Sequence, residues 1–221
     1  MKLPERHTKF SLSDAASVVA APPLDSKAFR DAIVILPANE VTGFLRGYVY
    51  NRVPAAFAKQ TMLWEALRDW VSLRLKVSPF EVGLTGSAQV GFSCVPDRYG
   101  QPFRLSKSDL DLFVVNESLF DRLCPELRKF LSASKVKFED QRKTIERTYR
   151  RGFFDLKHVP SDHEAFPQCA SINNTASMVV SKLHMHEIDL RHSFFRVYRS
   201  WQDFANQTQI NFEALRKVAN S

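Results

Sequence analysis

The sequence is poor in cysteine and in glycine, and it has no long apolar run. Its three cysteines, Cys94, Cys124 and Cys169, are scattered through 221 residues. Their odd number and wide spacing exclude a disulfide scaffold and predict a reducing compartment. No apolar stretch approaches the ~20 residues of a membrane helix, which excludes a chain threaded through a bilayer in that way. Residues Met1 to Lys9 carry no signal-peptide pattern, so the expectation is a cytoplasmic protein. The Gly-x-x-x-x-Gly-Lys of P-loop NTPases is missing. His184, His186 and His192 with Cys169 lack the spacing of a zinc set, and His184 and His186 do not share a helix face. The cysteines have no neighbour that would mark a nucleophile, and they read as packing residues. Internal repeats and low-complexity tracts are missing too.

What is present is an ordinary globular composition, with 44% hydrophobic and 25% charged residues and as many as 18 phenylalanines. The length suits one large domain, or a domain with a helical annex. The formal net charge is +7, and much of it is local: Asp121 to His158 holds eleven Lys/Arg against six Asp/Glu. Such a stretch suits phosphate-bearing partners, and it equally suits a solvated helix face.

Along the chain, Ser13-Asp14 would cap a short helix over Ala15–Ala21 that Pro22-Pro23 stops. The clearest helix runs from Pro54 to about Lys76, with Phe57, Leu63, Leu67, Trp70 and Val71 at helical spacing. A short strand from Phe80 to Thr85 ends at Gly86-Ser87. Residues 88 to 107 contain Pro96, Gly100 and Pro102 and read as a loop or hairpin. Leu110, Leu112, Val114 and Val115 make a second strand. Helices follow over Glu117–Leu131, broken or restarted around Pro125, and over Phe138–Tyr149. Arg151 to Val159 reads as a third strand. From about Thr175 the chain reads as mostly helical, with a further segment over Phe212–Val218. The expected division is a leader over residues 1–53, a core over 54–160 and a mostly helical segment over 161–221 packed on it as one unit.

The informative stretch is Gly83-Leu-Thr-Gly86-Ser87-Ala-Gln-Val-Gly91 followed by Ser108-Asp109-Leu-Asp111-Leu-Phe-Val-Val. Three of the seven glycines fall within those first nine residues. A strand alternates with period two, so Asp109 and Asp111 project from one face about 6.5–7 Å apart, close enough to converge on one or two cations. A paired-cation site of that kind is a standard device for in-line phosphoryl displacement. Gly86-Ser87, at a strand-to-helix turn, offers backbone N–H groups and a hydroxyl to phosphate oxygens.

An apolar strand ending in Gly-Ser, followed by Asp-Leu-Asp-Leu opening another, resembles the DNA polymerase β-like nucleotidyltransferase superfamily. The resemblance is specific over about residues 80 to 115. It implies an α+β fold, with a small mixed sheet flanked by helices and a helical C-terminal part. It also implies Mg²⁺ (or Mn²⁺) and transfer of a nucleoside monophosphate from an NTP donor to an acceptor RNA, protein or nucleotide. Gly86 and Ser87 match its triphosphate turn, and Asp109 and Asp111 match its first two metal ligands. Asp155, in Phe-Phe-Asp-Leu, is the best match for the third carboxylate. Lys182, in an apolar helix, either holds the triphosphate or covers apolar surface with its stem. The basic-aromatic group Arg196, Tyr198, Arg199 and Trp201 either meets a nucleotide or packs a helix. The 22 positions from Ser87 to Asp109 exceed the superfamily's compact spacing, which a hairpin extension would absorb. The long helix before the Gly-Ser strand is similar to that of the cyclic GMP–AMP synthase-like enzymes, although the chain is short for their two-lobed form. Minimal stand-alone transferases, including those of antiphage and toxin–antitoxin systems, are the other branch the resemblance implies. A non-catalytic RNA- or nucleotide-binding module, or the regulatory partner of another protein, is the alternative from a different class.

Overall fold

The computed structural model describes residue 14 and residues 25–132, 139–159 and 162–219. Apart from Asp14, the helix expected at Ala15–Ala21 lies outside the described residues. Helix α1 (Ser26–Ile35) opens with Asp25, whose carboxylate accepts the Ala28 N–H at 2.8 Å, and stops before Pro37. Helix α2 (Ala38–Leu45) runs on into a π-helical turn, Arg46–Tyr50. Helix α3 is Thr61–Leu75, shorter than expected at its start. The chain from Pro54 forms a separate 3-10 turn, because Phe57 folds back into the core with its ring 5.3 Å from that of Trp64.

Strand β1 (Val82–Thr85) leads directly into a one-turn helix, α4 (Gly86–Val90). The loop after it is a hairpin-like excursion closed by a Phe92–Pro102 bridge. Strand β2 (Leu110–Val115) is followed by helix α5 (Glu117–Ser132), which passes through Pro125 without breaking. Asp121, whose carbonyl loses its partner there, and Pro125 both lie on the exposed face of the helix. Helix α6 (Glu139–Arg150) precedes strand β3 (Phe153–Asp155), and a 3-10 turn at Leu156–His158 ends that strand early. Helix α7 (Pro167–His184) begins well before Thr175. Residues Ser193–Tyr198 then form a fourth strand, β4, where helix was expected, and helix α8 (Trp201–Ala219) ends the described chain.

The fold is α+β, with eight helices among the described residues around a four-stranded mixed sheet of order β1-β2-β4-β3. β1 is antiparallel to β2, β2 is parallel to β4, and β3 is antiparallel to β4. Alternation gives each face a distinct character. Leu84, Leu110, Leu112, Val114, Phe154, Phe195 and Val197 face the main core beneath α3, α5 and α7. Asp111, Phe113, Val115, Arg196, Tyr198, Phe153 and Asp155 share the other face by register. Its apolar half is covered by Phe204 of α8 and by Tyr50. Its polar half stays open. A second core around Phe29 joins α1 and α2 to Phe212 and Leu215 of α8. Among the described residues, no helix is long and apolar enough to cross a membrane.

Candidate active site

The open half of the sheet face is a cleft of about 860 Å³ lined by Gly86, Ser87, Asp109, Asp111, Arg191 and Arg196, with further cations from Arg98, Arg104 and Lys107. The β1–β2 register sets Thr85 opposite Asp111, so the Gly86-Ser87 turn lies directly beside the carboxylate strand. Gly86 has φ +71°, and a Cβ placed on it would stand 2.9 Å from Asp111 Oδ2. Only glycine gives both that backbone conformation and that clearance.

Asp109 and Asp111 sit in different electrostatic settings. Arg191 grips Asp109 in a two-pronged pair, Nε to Oδ1 and Nη2 to Oδ2, both at 2.9 Å. The Arg191 side chain is 58% exposed, so the pair is screened and its arginine is free to swing away. No described side chain donates a hydrogen bond to the Asp111 carboxylate. Burial pushes its pKa up, with the charges of Arg196 and Lys157 acting against that rise. A half-buried carboxylate that no side chain neutralises by a hydrogen bond favours a cation beside it.

Asp155 lies on the same face but does not join the pair. Two strand spacings of ~4.8 Å separate β3 from β2, and the register offsets Asp155 from Asp111 by a further two-residue step of ~7 Å. Between them stands Arg196, whose Nε donates to Asp155 Oδ2 at 3.1 Å, and Lys157 reaches the same oxygen at 3.4 Å. Asp155 Oδ1 is buried without a hydrogen-bond partner among the described residues. Burial opposes the Arg196 charge, but Asp155 first, then Tyr198 and Asp111, raise its pKa above the ordinary value. No three His, Cys, Asp or Glu among the described residues are grouped to hold one metal. Asp109 and Asp111 both line the cleft, and the oxygens a cation would use on Asp109 are those Arg191 holds. Arg196 of β4, the strand between β2 and β3, stands between Asp155 and the Asp109–Asp111 strand.

Lys182 stands apart. It projects from α7 with its ammonium 5.2 Å from the ring centre of Trp70 on α3, and it does not line the cleft. Of the basic-aromatic group, Arg196 and Tyr198 line the cleft from β4, whereas Arg199 is paired to Asp203. Arg191, Arg104 and Lys107 were not singled out in the sequence. They reach the site through the turns around Ser108, where Leu110 N–H bonds His192 O and Arg191 N–H bonds Ser108 O, and no local motif marks such a meeting.

These features define an α+β protein with a turn-and-carboxylate cleft on one sheet face. Comparison with known proteins adds no relative: no family model, curated protein or solved structure matches the chain.

Proposed function

We propose that the protein is a Mg²⁺- or Mn²⁺-dependent nucleotidyltransferase that moves a nucleoside monophosphate from an NTP to a hydroxyl acceptor. One observation carries the reading. The half-buried Asp111, with no side-chain donor, lies against a positive-φ glycine turn, inside a cleft whose lining also brings in Arg98, Arg104, Lys107, Arg191 and Arg196. That combination suits a ligand whose metal-bound end meets carboxylates and whose phosphates meet N–H groups and guanidinium. Asp109 and Asp111 would hold the divalent cation, which supplies charge neutralisation at the reacting phosphate. Ser87 and the turn amides take the terminal phosphates, and Arg196, with Arg104 and Lys107, opposes their remaining charge. Asp155 acts through Arg196: it fixes the guanidinium's direction. In the transfer, the acceptor oxygen bonds to the α-phosphorus while the bond to pyrophosphate breaks. The electron pair leaves with pyrophosphate, and the acceptor's proton passes to a cleft carboxylate.

The test is incubation with each α-labelled NTP, Mg²⁺ or Mn²⁺, and total RNA or cell protein. Label should appear in one acceptor class. Asp109→Ala and Asp111→Ala should each lower the rate at least about a thousandfold, since either change removes several kcal/mol of transition-state stabilisation. Near-native transfer by either folded variant would exclude this chemistry.

A further inference from the structure

A second cleft, of about 760 Å³, opens on the same sheet face one register step from the carboxylates. Its floor includes Gly83 and Phe113, which pair with each other across β1 and β2, whereas Thr85 and Asp111 pair in the first cleft. The step is about 7 Å along the strands. Val49 lines both clefts.

The chemistry of this second cleft differs from that of the first. Its walls are aromatic, and two rings stand in solvent at its edge: Phe80 is 80% exposed and Trp201 is 50% exposed. Neither is loose. The Arg68 guanidinium sits 5.6 Å from the Phe80 ring, and Trp201 meets Phe113 and Phe204 edge-on at 6.2 and 5.7 Å. Three guanidinium groups, from Arg46, Arg52 and Arg68, line the same space against a single carboxylate, Glu65, which Arg68 already pairs at 3.1 Å. Arg52 is the telling one. Its guanidinium lies 5.2 Å from the Tyr48 ring centre, its Nε reaches Val53 O at a long 3.4 Å, and its Nη1 is buried with no hydrogen-bond partner among the described residues. A buried guanidinium N–H left unpaired costs stability and is satisfied by an anion.

Rings held for stacking, surplus guanidinium and a donor lacking an acceptor call for a ligand that is flat at one end and anionic at the other. We propose that this cleft binds a nucleoside phosphate unit, with its base on Trp201 and Phe80 and its phosphate on Arg52 and Arg46, as the acceptor of the transferred nucleotide. As an acceptor site it rests on the nucleotidyltransferase reading. As a binding site it does not. The unit comes either from a free mononucleotide or from a single-stranded RNA, and the same contacts serve both.

The test reads binding without NTP, metal or turnover, so its failure is separate from failure of the transfer assay. Quenching of tryptophan fluorescence is titrated with AMP, GMP, CMP and UMP, and fluorescence anisotropy is followed with labelled ten-nucleotide single-stranded RNAs. At least one ligand should bind. Trp201→Ala and Phe80→Ala should each weaken that binding by about five- to a hundredfold, as loss of one stacking ring does. Arg52→Gln should weaken it by at least about tenfold, as loss of a charge-assisted bond does. Both aromatic changes are at exposed positions, and an unchanged thermal transition would confirm that each variant is folded. RNA binding at least tenfold tighter than every mononucleotide assigns the unit to a strand, and comparable binding assigns it to the free nucleotide. No binding by any ligand, or binding indifferent to all three substitutions, would overturn the proposal. The second result would move the RNA to another surface, and the first would leave these rings to a protein partner.

Discussion

At the scale of single residues, the site is shaped by what surrounds Asp111. Folding half-buries its carboxylate and gives it no side-chain donor, so the fold that places it disfavours its ionised form. The sign follows from proton binding. The folded pKa lies above the ordinary 3.8, so the folded state holds the proton more tightly, and stability declines as pH rises above about that value. Asp111→Asn should therefore raise the thermal midpoint of metal-free protein by a few degrees at pH 7, and the gain should shrink near pH 4. Millimolar Mg²⁺ should raise the midpoint of the wild-type chain and leave that of Asp111→Asn unmoved. Scanning calorimetry of both proteins, with and without Mg²⁺, checks this. A wild type indifferent to the metal and no less stable than the variant at pH 7 would remove the cation from Asp111. Much of this residue-level picture was legible in the chain. Gly86, Ser87, Asp109 and Asp111 are two short local patterns, and local patterns survive folding. Asp155 and Arg196 were not legible as a pair, because only the β3–β4 register puts one against the other.

Among the elements, β4 and α8 show how the site is held. Ser200 precedes α8, and its hydroxyl both accepts the Asp203 N–H at 3.1 Å and donates to Asp203 Oδ2 at 2.7 Å. Asp203 also takes both prongs of Arg199, at 3.2 Å each. This cluster fixes where α8 leaves the sheet, and therefore where Trp201 and Phe204 lie on the face. Ser200→Ala removes the cap at a cost of about 1 kcal/mol, which for a chain of this size lowers the midpoint by about 2–4 °C. Thermal denaturation followed by circular dichroism measures it, and an unchanged midpoint would mean that packing alone sets the start of α8. The strand before it was misread as helix from the sequence. Ser-Phe-Phe-Arg-Val-Tyr is rich in aromatic and β-branched residues and alternates as a strand does, but it sits between two helical patterns in a short run that supports either period. Strands β1 and β2 were legible because glycine, serine and aspartate punctuate them. Pro125 does not break α5 although it removes one hydrogen bond, because the buried face of Leu119, Leu123, Leu127 and Phe130 holds the helix on both sides of it.

For the whole molecule, the position of β4 decides how the chain divides. The last sixty residues look like a helical attachment in the sequence, but they supply the strand that lies between β2 and β3. They also supply Phe204, which covers the sheet face, and Phe212 and Leu215, which complete the core around Phe29. The first described helices consequently close on the last one, and without its end the chain keeps only the β1–β2 pair of the sheet. A chain ending at His184 would lose Phe195, Val197, Tyr198, Phe204, Phe212 and Leu215, all buried. At about 2 kcal/mol each, those six side chains contribute an amount comparable to the whole net stability of a typical domain, about 5–15 kcal/mol. β3 would also be left without a partner, since its three residues pair with β4. The 1–184 fragment should therefore show no cooperative thermal transition and should bind a hydrophobic dye, while the 221-residue chain unfolds in one step. A fragment melting cooperatively near the midpoint of the longer chain would show that residues beyond 184 are a separable attachment, with the Asp109–Asp111 cleft built without them.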